Sequence, residues 1–326
     1  MNSPRRRFLH LVAGAAALPA VSGYAWAQTY PSRPITMIVA FPAGGPTDVI
    51  GRIVAERMRA SLGQPIVIEN LGGAGGSIGT GRVARARPDG YTINIGVMST
   101  QVLNDALYSL QYDVLNDFAP IVPLVMSPFI LFARKSLPGT NLNELIAWLK
   151  TKRNMASAGV DVASARLLTE FFQKESGTQL TLVPYRGTAP AMQDLVAGQI
   201  DLFFSLPVQL PLLRAGSIKA YAVAGDARLA LAPSIPTFGE MGLRAVSWSG
   251  WYGLFAPKST PKDIIDKLNM AAVEALADAA VRSRLAELGV QVFPREQQTP
   301  EALGTLVRAN AEKWLPLVRE FGISAE

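Results

Sequence analysis

The residues of this chain whose types and spacing could do chemistry sit in short loops rich in small side chains. The most concentrated is Phe41-Pro42-Ala43-Gly44-Gly45-Pro46-Thr47-Asp48. Gly44 and Gly45 permit positive φ and leave bare backbone for a ligand to approach, and Thr47 and Asp48 are both good helix N-caps. A turn of this kind offers unpaired N–H groups and the positive end of a helix dipole, which suits a carboxylate or phosphate. The same residues also serve as an ordinary strand-to-helix turn with a capping aspartate, and both readings stay open at this stage. Ser99 and Thr100 form a second polar pair, where they act as ligand contacts or as helix caps. The glycines at 72, 73, 75, 76, 79 and 81 suggest a nucleotide loop at first sight. They contain no clean G-x-G-x-x-G between strand and helix and no acidic residue about 20 positions on, so a close-packed loop and helix start is the better reading.

The elements that must position these loops follow from the apolar pattern. Ile35 to Phe41 reads as a buried strand. Val49, Ile50, Ile53, Val54, Met58 and Leu62 recur at helical spacing behind the turn. Strands at Ile66 to Asn70 and Tyr91 to Val97 with a helix between them complete a βαβαβ unit, hence a parallel sheet covered by helices. Ser99 and Thr100 then fall at the carboxyl end of a strand, where open α/β sheets hold ligands. Phe129 to Ala133 reads as a strand crossing into a second domain. There strand, loop and helix alternate again through Met155 to Gly159, Ser164 to Phe172, Leu180 to Tyr185, Met192 to Val196, Ile200 to Phe204 and Ile218 to Ala224. Trp248 to Ala256 reads as the return crossing, and three further helices close the chain.

The N-terminus has a different character. Arg5-Arg6-Arg7 precedes the apolar run Leu11 to Val21 and then Ala25-Trp26-Ala27, the layout of an export signal cleaved before Gln28, with an arginine pair like that of twin-arginine leaders. Removing it leaves 28 basic residues, 31 less three arginines, against 25 acidic ones, so the mature charge is only +3 and the case for nucleic acid falls away. The single histidine, His10, leaves with the signal, and there is no cysteine. The mature chain therefore lacks the usual base of a hydrolytic triad, a thiol nucleophile and the common zinc ligands. The missing histidine and cysteine disfavour an enzyme, and no cofactor or metal is expected.

Five blocks taken together carry a resemblance: FPAGGPTD from Phe41, NLGGAGGSIG from Asn70, ARPDGYT from Ala86, PYRGTAPAMQDLVAGQIDLFF from Pro184 and WYGLFAPKSTPKDIIDKLN from Trp251. In order and spacing they resemble the Bug, or TctC, family of periplasmic solute-binding receptors that serve tripartite tricarboxylate transporters. The resemblance implies an α/β, type II periplasmic binding protein fold, two lobes joined by two crossing strands with a ligand cleft between them. Lobe 1 is expected over 28–128 and 250–326, and lobe 2 over 129–249. It implies a periplasmic protein, expected to be a monomer, that captures a small carboxylate and works with membrane permease subunits; a partnership with a sensor kinase is the alternative.

Carried over residue by residue, the family pattern puts Phe41, Ala43, Gly44, Thr47 and Asp48 on one wall of the cleft, with Ser99 and Thr100 beside them. The second wall is Ala158, Gly159 and on to Ser164, with Tyr185, Arg186, Gly187 and Thr188, and Asp201 near the cleft floor, where it is more often structural than a contact. The chain departs from the pattern in Gly159-Val160-Asp161-Val162-Ala163-Ser164. Arg166 stands where the family commonly has histidine, and it is either a solvated helix residue or a clamp for a second carboxylate.

Overall fold

The computed structural model describes residues 30–246 and 248–320. The export signal and its cleavage point before Gln28 lie outside these residues.

The first strand, β1 (Ile35–Val39), is buried along its length apart from Thr36 and ends two residues earlier than the apolar run suggests. Helix α1 (Pro46–Leu62) follows it with Pro46 in the first turn, so the N-cap falls on Gly45 instead of Thr47 or Asp48. Proline favours that first position because its missing N–H has no partner there anyway. Asp48, two residues into the helix, reaches back to accept from the Gly44 amide. Strand β2 (Ile66–Asn70), helix α2 (Ser77–Ala84) and strand β3 (Thr92–Val97) complete the parallel unit, with β1 between β2 and β3. The glycines before and within α2 serve close packing: a Cβ on Gly79 would lie 2.5 Å from the Leu71 carbonyl oxygen and 3.0 Å from the Ala40 Cα.

After a π-helical turn at Ser99–Leu103 and the short helix α3 (Asn104–Leu107), the chain enters β4 (Phe118–Arg134), one strand of 17 residues where the sequence suggested a lead-in and a separate crossing strand. Pro120, Pro123 and Pro128 lie within it, and the pairing register slips between Pro120 and Val122 and between Pro123 and Val125. Proline cannot donate to a ladder, so the strand keeps its direction while its register yields.

The second lobe runs α4 (Leu142–Thr151), β5 (Ser157–Val160), α5 (Ala163–Ser176), β6 (Thr181–Pro184), α6 (Thr188–Ala197), β7 (Leu202–Ser205), α7 (Leu210–Arg214) and β8 (Ile218–Ala224). The chain returns along β9 (Ser249–Pro257), then forms α8 (Lys262–Ala277), α9 (Ala279–Glu287), the two-residue β10 (Gln291–Val292) and α10 (Pro300–Glu320). Strand order is β2-β1-β3-β9-β4-β7-β5-β6, with β8 and β10 also on β4. Residues 118–128 of β4 pair with β9, whereas 129–134 pair with β7 and β8. Each lobe thus has its own parallel strands, and β4 and β9 run between them.

Aromatic side chains fill the space where the lobes meet. Trp314 of α10 stacks against Trp248 at 5.0 Å between ring centroids and against Phe171 of α5 at 6.1 Å, while Phe129 lies 6.1 Å from Trp248. No helix of the described residues is long and apolar enough to cross a membrane.

Because the atoms facing Gly79 are backbone, they cannot rotate away. Gly79→Ala is expected to cost about 1–3 kcal/mol by overpacking, read as a lower urea midpoint at unchanged slope. An unchanged midpoint would show that α2 shifts freely on β1.

Candidate functional site

The parallel strands of both lobes aim their carboxyl ends at one cavity. The β1 loop supplies Phe41, Pro42, Gly45, Pro46 and Thr47; the end of β3 supplies Val97, Met98 and Ser99. From the second lobe come Asp161, Val162 and Ser164 after β5, Thr188 and Ala189 at the start of α6, and Phe204, Ser205 and Leu206 at the end of β7. Phe129, Gly250, Trp251 and Tyr252 of the crossing strands form the back.

Three helices begin at this cavity: α1, α5 and α6. Their N-caps are Gly45, Val162 and Gly187, and none makes a side-chain cap hydrogen bond. The first-turn N–H groups of a helix have no acceptor within it, so three positive dipole ends converge on one space. One of these donors closes the cleft: the Ser164 amide donates to the Ser99 hydroxyl at 3.2 Å, and the two hydroxyls lie 2.8 Å apart. A Cβ on Gly187 would stand 2.9 Å from the Pro42 ring, a second close approach between lobes. Trp251, only 3% exposed, adds an indole N–H that has no hydrogen-bond partner among the described residues.

Of the residues expected at the site, Phe41, Thr47, Ser99, Ser164 and Thr188 line this cavity. Asp48 lies behind the loop. It accepts from the Gly44 amide at 2.9 Å, from Arg52 Nε at 2.9 Å and from Asn70 Nδ2 at 3.0 Å, and Asn70 also donates to the Phe41 carbonyl. Burial alone would raise its carboxyl, but the hydrogen bonds from Arg52, Gly44 and Asn70 outweigh that and hold it below the ordinary range. Asp48 therefore braces the loop on which Ala43 and Gly44 sit. Thr100 folds back on its own strand, its hydroxyl bonded to both the amide and the carbonyl of Val97.

Ala158 and Gly159 are interior residues of β5. Asp201 sits at the amino ends of β5 and β7, away from the cleft, accepting from Arg134 Nε at 2.6 Å and from the Ser157 amide at 2.8 Å. Arg166 and Tyr185 line a neighbouring crevice with Gly75, Tyr108 and Asp161. Burial, reinforced by the hydrogen bond its hydroxyl donates to Asp194 at 2.6 Å, pushes the Tyr185 pKa up to about 12.

Asp161 lies within the loop expected to form the second wall, but the sequence reading did not single it out. It is 8% exposed, accepts from the Thr188 hydroxyl at 2.6 Å, and carries the one formal charge among the described residues lining the main cavity. Burial pushes its carboxyl from an ordinary 3.8 up to about 6, against the hydrogen bonds from Thr188 and from the amides of Asp161 and Val162. Tyr252, buried behind it and within hydrogen-bonding reach of Thr47, is also shifted up, chiefly by burial and further by the charge of Asp161. Among the described residues no group of three or more His, Cys, Asp or Glu side chains is placed to hold a metal.

A sequence profile described as the tripartite tricarboxylate transporter family receptor matches residues 50–323. The chain belongs to that receptor family. The receptor is 35% identical to BugT of Bordetella pertussis over 301 residues, covering 91% of each chain. Among solved structures it is similar to the periplasmic binding protein BugD, at 37% identity and a TM-score of 0.86 over 90% of this chain and 99% of that one. It is likewise similar to MatC of Rhodopseudomonas palustris with bound malate, at 37% identity and a TM-score of 0.85 over 89% and 100%. A second R. palustris protein, solved with adipate, is 31% identical with a TM-score of 0.85 over 90% and 99%. These relatives establish the type II periplasmic binding fold of the receptor and a class of binding proteins that take up carboxylates.

A carboxyl whose folded pKa lies above its unfolded value favours folding only while protonated, so this contribution is intact below about pH 4 and lost as pH rises through about 6. Asp161→Asn should remove the penalty at neutral pH, with Thr188 rotating to accept from the new amide. The ligand-free variant is expected to gain up to about 3 kcal/mol over wild type at pH 7.5, the gap closing by pH 4. Paired thermal melts across that range check it; a gap independent of pH would contradict it.

Proposed function

We propose that this receptor is exported to the periplasm and captures one small organic carboxylate in the cleft for a tripartite tricarboxylate-type permease. The observation that carries this reading is the convergence of three helix starts, none capped by its own N-cap side chain, on a cavity that no lysine or arginine of the described residues lines. A carboxylate accepts from such amides and hydroxyls without a full countercharge, because the donors are preoriented and the dipoles favour negative charge. The relatives that hold malate and adipate support the same ligand chemistry here.

In this reading the ligand engages the Phe41–Thr47 loop first, and rotation of lobe 129–249 about the crossing strands then brings Ser164 and Thr188 over it. Closure follows because the ligand touches both lobes, and only a difference in affinity between the open and closed forms shifts the balance. The contacts of Ser99 with Ser164 and of Pro42 with Gly187 belong to the closed form. Delivery to the permease follows from recognition of that form.

The test is a thermal-shift screen of residues 28–326 against mono-, di- and tricarboxylates and amino acids. A ligand at 100 times its dissociation constant adds about 2.7 kcal/mol, a rise of a few degrees for a chain of this size. Stabilisation by neutral sugars or by cations alone would contradict the reading. Gly187→Ala sharpens the test, since a methyl pressed on the Pro42 ring penalises closure and leaves the open form alone. The expected outcome is about tenfold weaker binding with the unliganded melting point within about 1 °C of wild type.

A further inference from the structure

A receptor for an anion that carries a buried carboxyl in its own cavity contains a conflict of like charge, and the way this chain resolves it narrows the ligand. Asp161 lies at the carboxyl end of β5, where the Thr188 hydroxyl and the amides of Asp161 and Val162 bond to it. The α5 and α6 side of the cavity therefore already holds its anion. The α1 side holds neutral donors instead, the Thr47 hydroxyl and the first-turn amides, and Trp251 stands at the back. Between the two lie apolar walls that include Phe129 and Phe204. Arg166 is in the adjacent crevice, where its charge acts on Tyr108 and Glu170, and burial with three hydrogen bonds accounts for the shift at Asp161.

We infer that Asp161 determines specificity in this cleft and that the ligand is an amphoteric monocarboxylate, its carboxylate at the α1 loop and a protonated nitrogen against Asp161. The inference rests on the carboxylate-receptor reading above. A dicarboxylate would bring a second negative group to Asp161 or oblige that side chain to take up a proton, whereas an ammonium or ring N–H cation completes an ion pair in a desolvated site. The apolar walls suit a ligand whose body is hydrocarbon or aromatic.

The two alternatives differ in the sign of their pH dependence. Facing Asp161 are Thr188 from α6 and Tyr252 from β9, with Arg166 of α5, Tyr185 and Tyr108 in the crevice alongside. Burial raises all three tyrosines, so they stay protonated. Asp161 is then the group among them that titrates between pH 5 and 8. A cationic nitrogen binds its ionised form, so affinity rises with pH through about 6; a second carboxylate requires the protonated form, so affinity falls.

Calorimetric titration of residues 28–326, wild type and Asp161→Asn, at pH 5 and 7.5 decides between them. The probes are matched pairs: phenylalanine with 3-phenylpropionate, leucine with 4-methylpentanoate, and aspartate with succinate, together with malate and adipate. In wild type, an amino member is expected to bind at least about tenfold more tightly than its partner and to tighten about tenfold from pH 5 to 7.5. Asp161→Asn should abolish both the preference and the pH effect. Thr188→Val, which removes a bond favouring the ionised form, should move the pH profile upward, and it serves if Asp161→Asn fails to fold. Succinate, malate or adipate binding wild type as well as any amino acid, unaffected by Asp161→Asn, would overturn the inference and leave the receptor reading standing. Silence from every carboxylate in both proteins would overturn both.

Discussion

Strand β4 holds two sheets in one frame. Its residues 118–128 pair with β9 and its residues 129–134 with β7 and β8, so the same backbone is an interior strand of both lobes. That shared strand fixes where the carboxyl ends of β1 and β3 lie relative to those of β5, β6 and β7. Loops that are distant in sequence, at 41–47, 97–99, 161–164 and 188–189, consequently face one another across a single gap. The prolines in β4 loosen its register without breaking its direction, and the Trp248–Trp314–Phe171 stack fills the space beside it. A gap placed in this way draws its chemistry from helix starts, because in a parallel α/β unit every strand end is followed by one.

Those helix starts offer donors to an anion in a cavity that no lysine or arginine of the described residues lines. Gly45, Val162 and Gly187 are poor capping residues in terms of side-chain oxygen, and in each case the orphan amides are left for some other acceptor. Asp161 and the Ser99 hydroxyl take part of this capacity within the protein itself. What remains is weighted to the α1 side, where Gly45 leaves the first-turn amides without a side-chain cap. The electrostatic asymmetry of the cleft thus comes from which donors the chain satisfies internally.

Much of the architecture was legible in the sequence because it rests on local signals. An apolar run, two glycines and a helical repeat specify β1, its loop and α1 within a few residues. The position of the cap was not legible, since Pro46 claims the first helical turn and moves the cap to Gly45. The role of Asp48 depends on Arg52 and Asn70, and Asn70 arrives from β2. The burial of Asp161 was not legible for a related reason. A lone acidic residue in a loop ordinarily faces water, and its burial here comes from Tyr252 and Thr188, which lie 91 and 27 positions away. Arg166 drew attention as a charge beside a helix start, but it falls two residues beyond Ser164, about 200° around α5, and so borders the crevice rather than the cavity.

The most direct measurement is a crystal structure of residues 28–326 with the best carboxylate from the thermal screen. The expected result is a closed cleft in which the carboxylate oxygens accept from the amides and hydroxyl of the Phe41–Thr47 loop, with Ser99 and Ser164 still in contact. A ligand whose carboxylate pairs with Arg166 in the neighbouring crevice, leaving the start of α1 in contact with solvent, would contradict it.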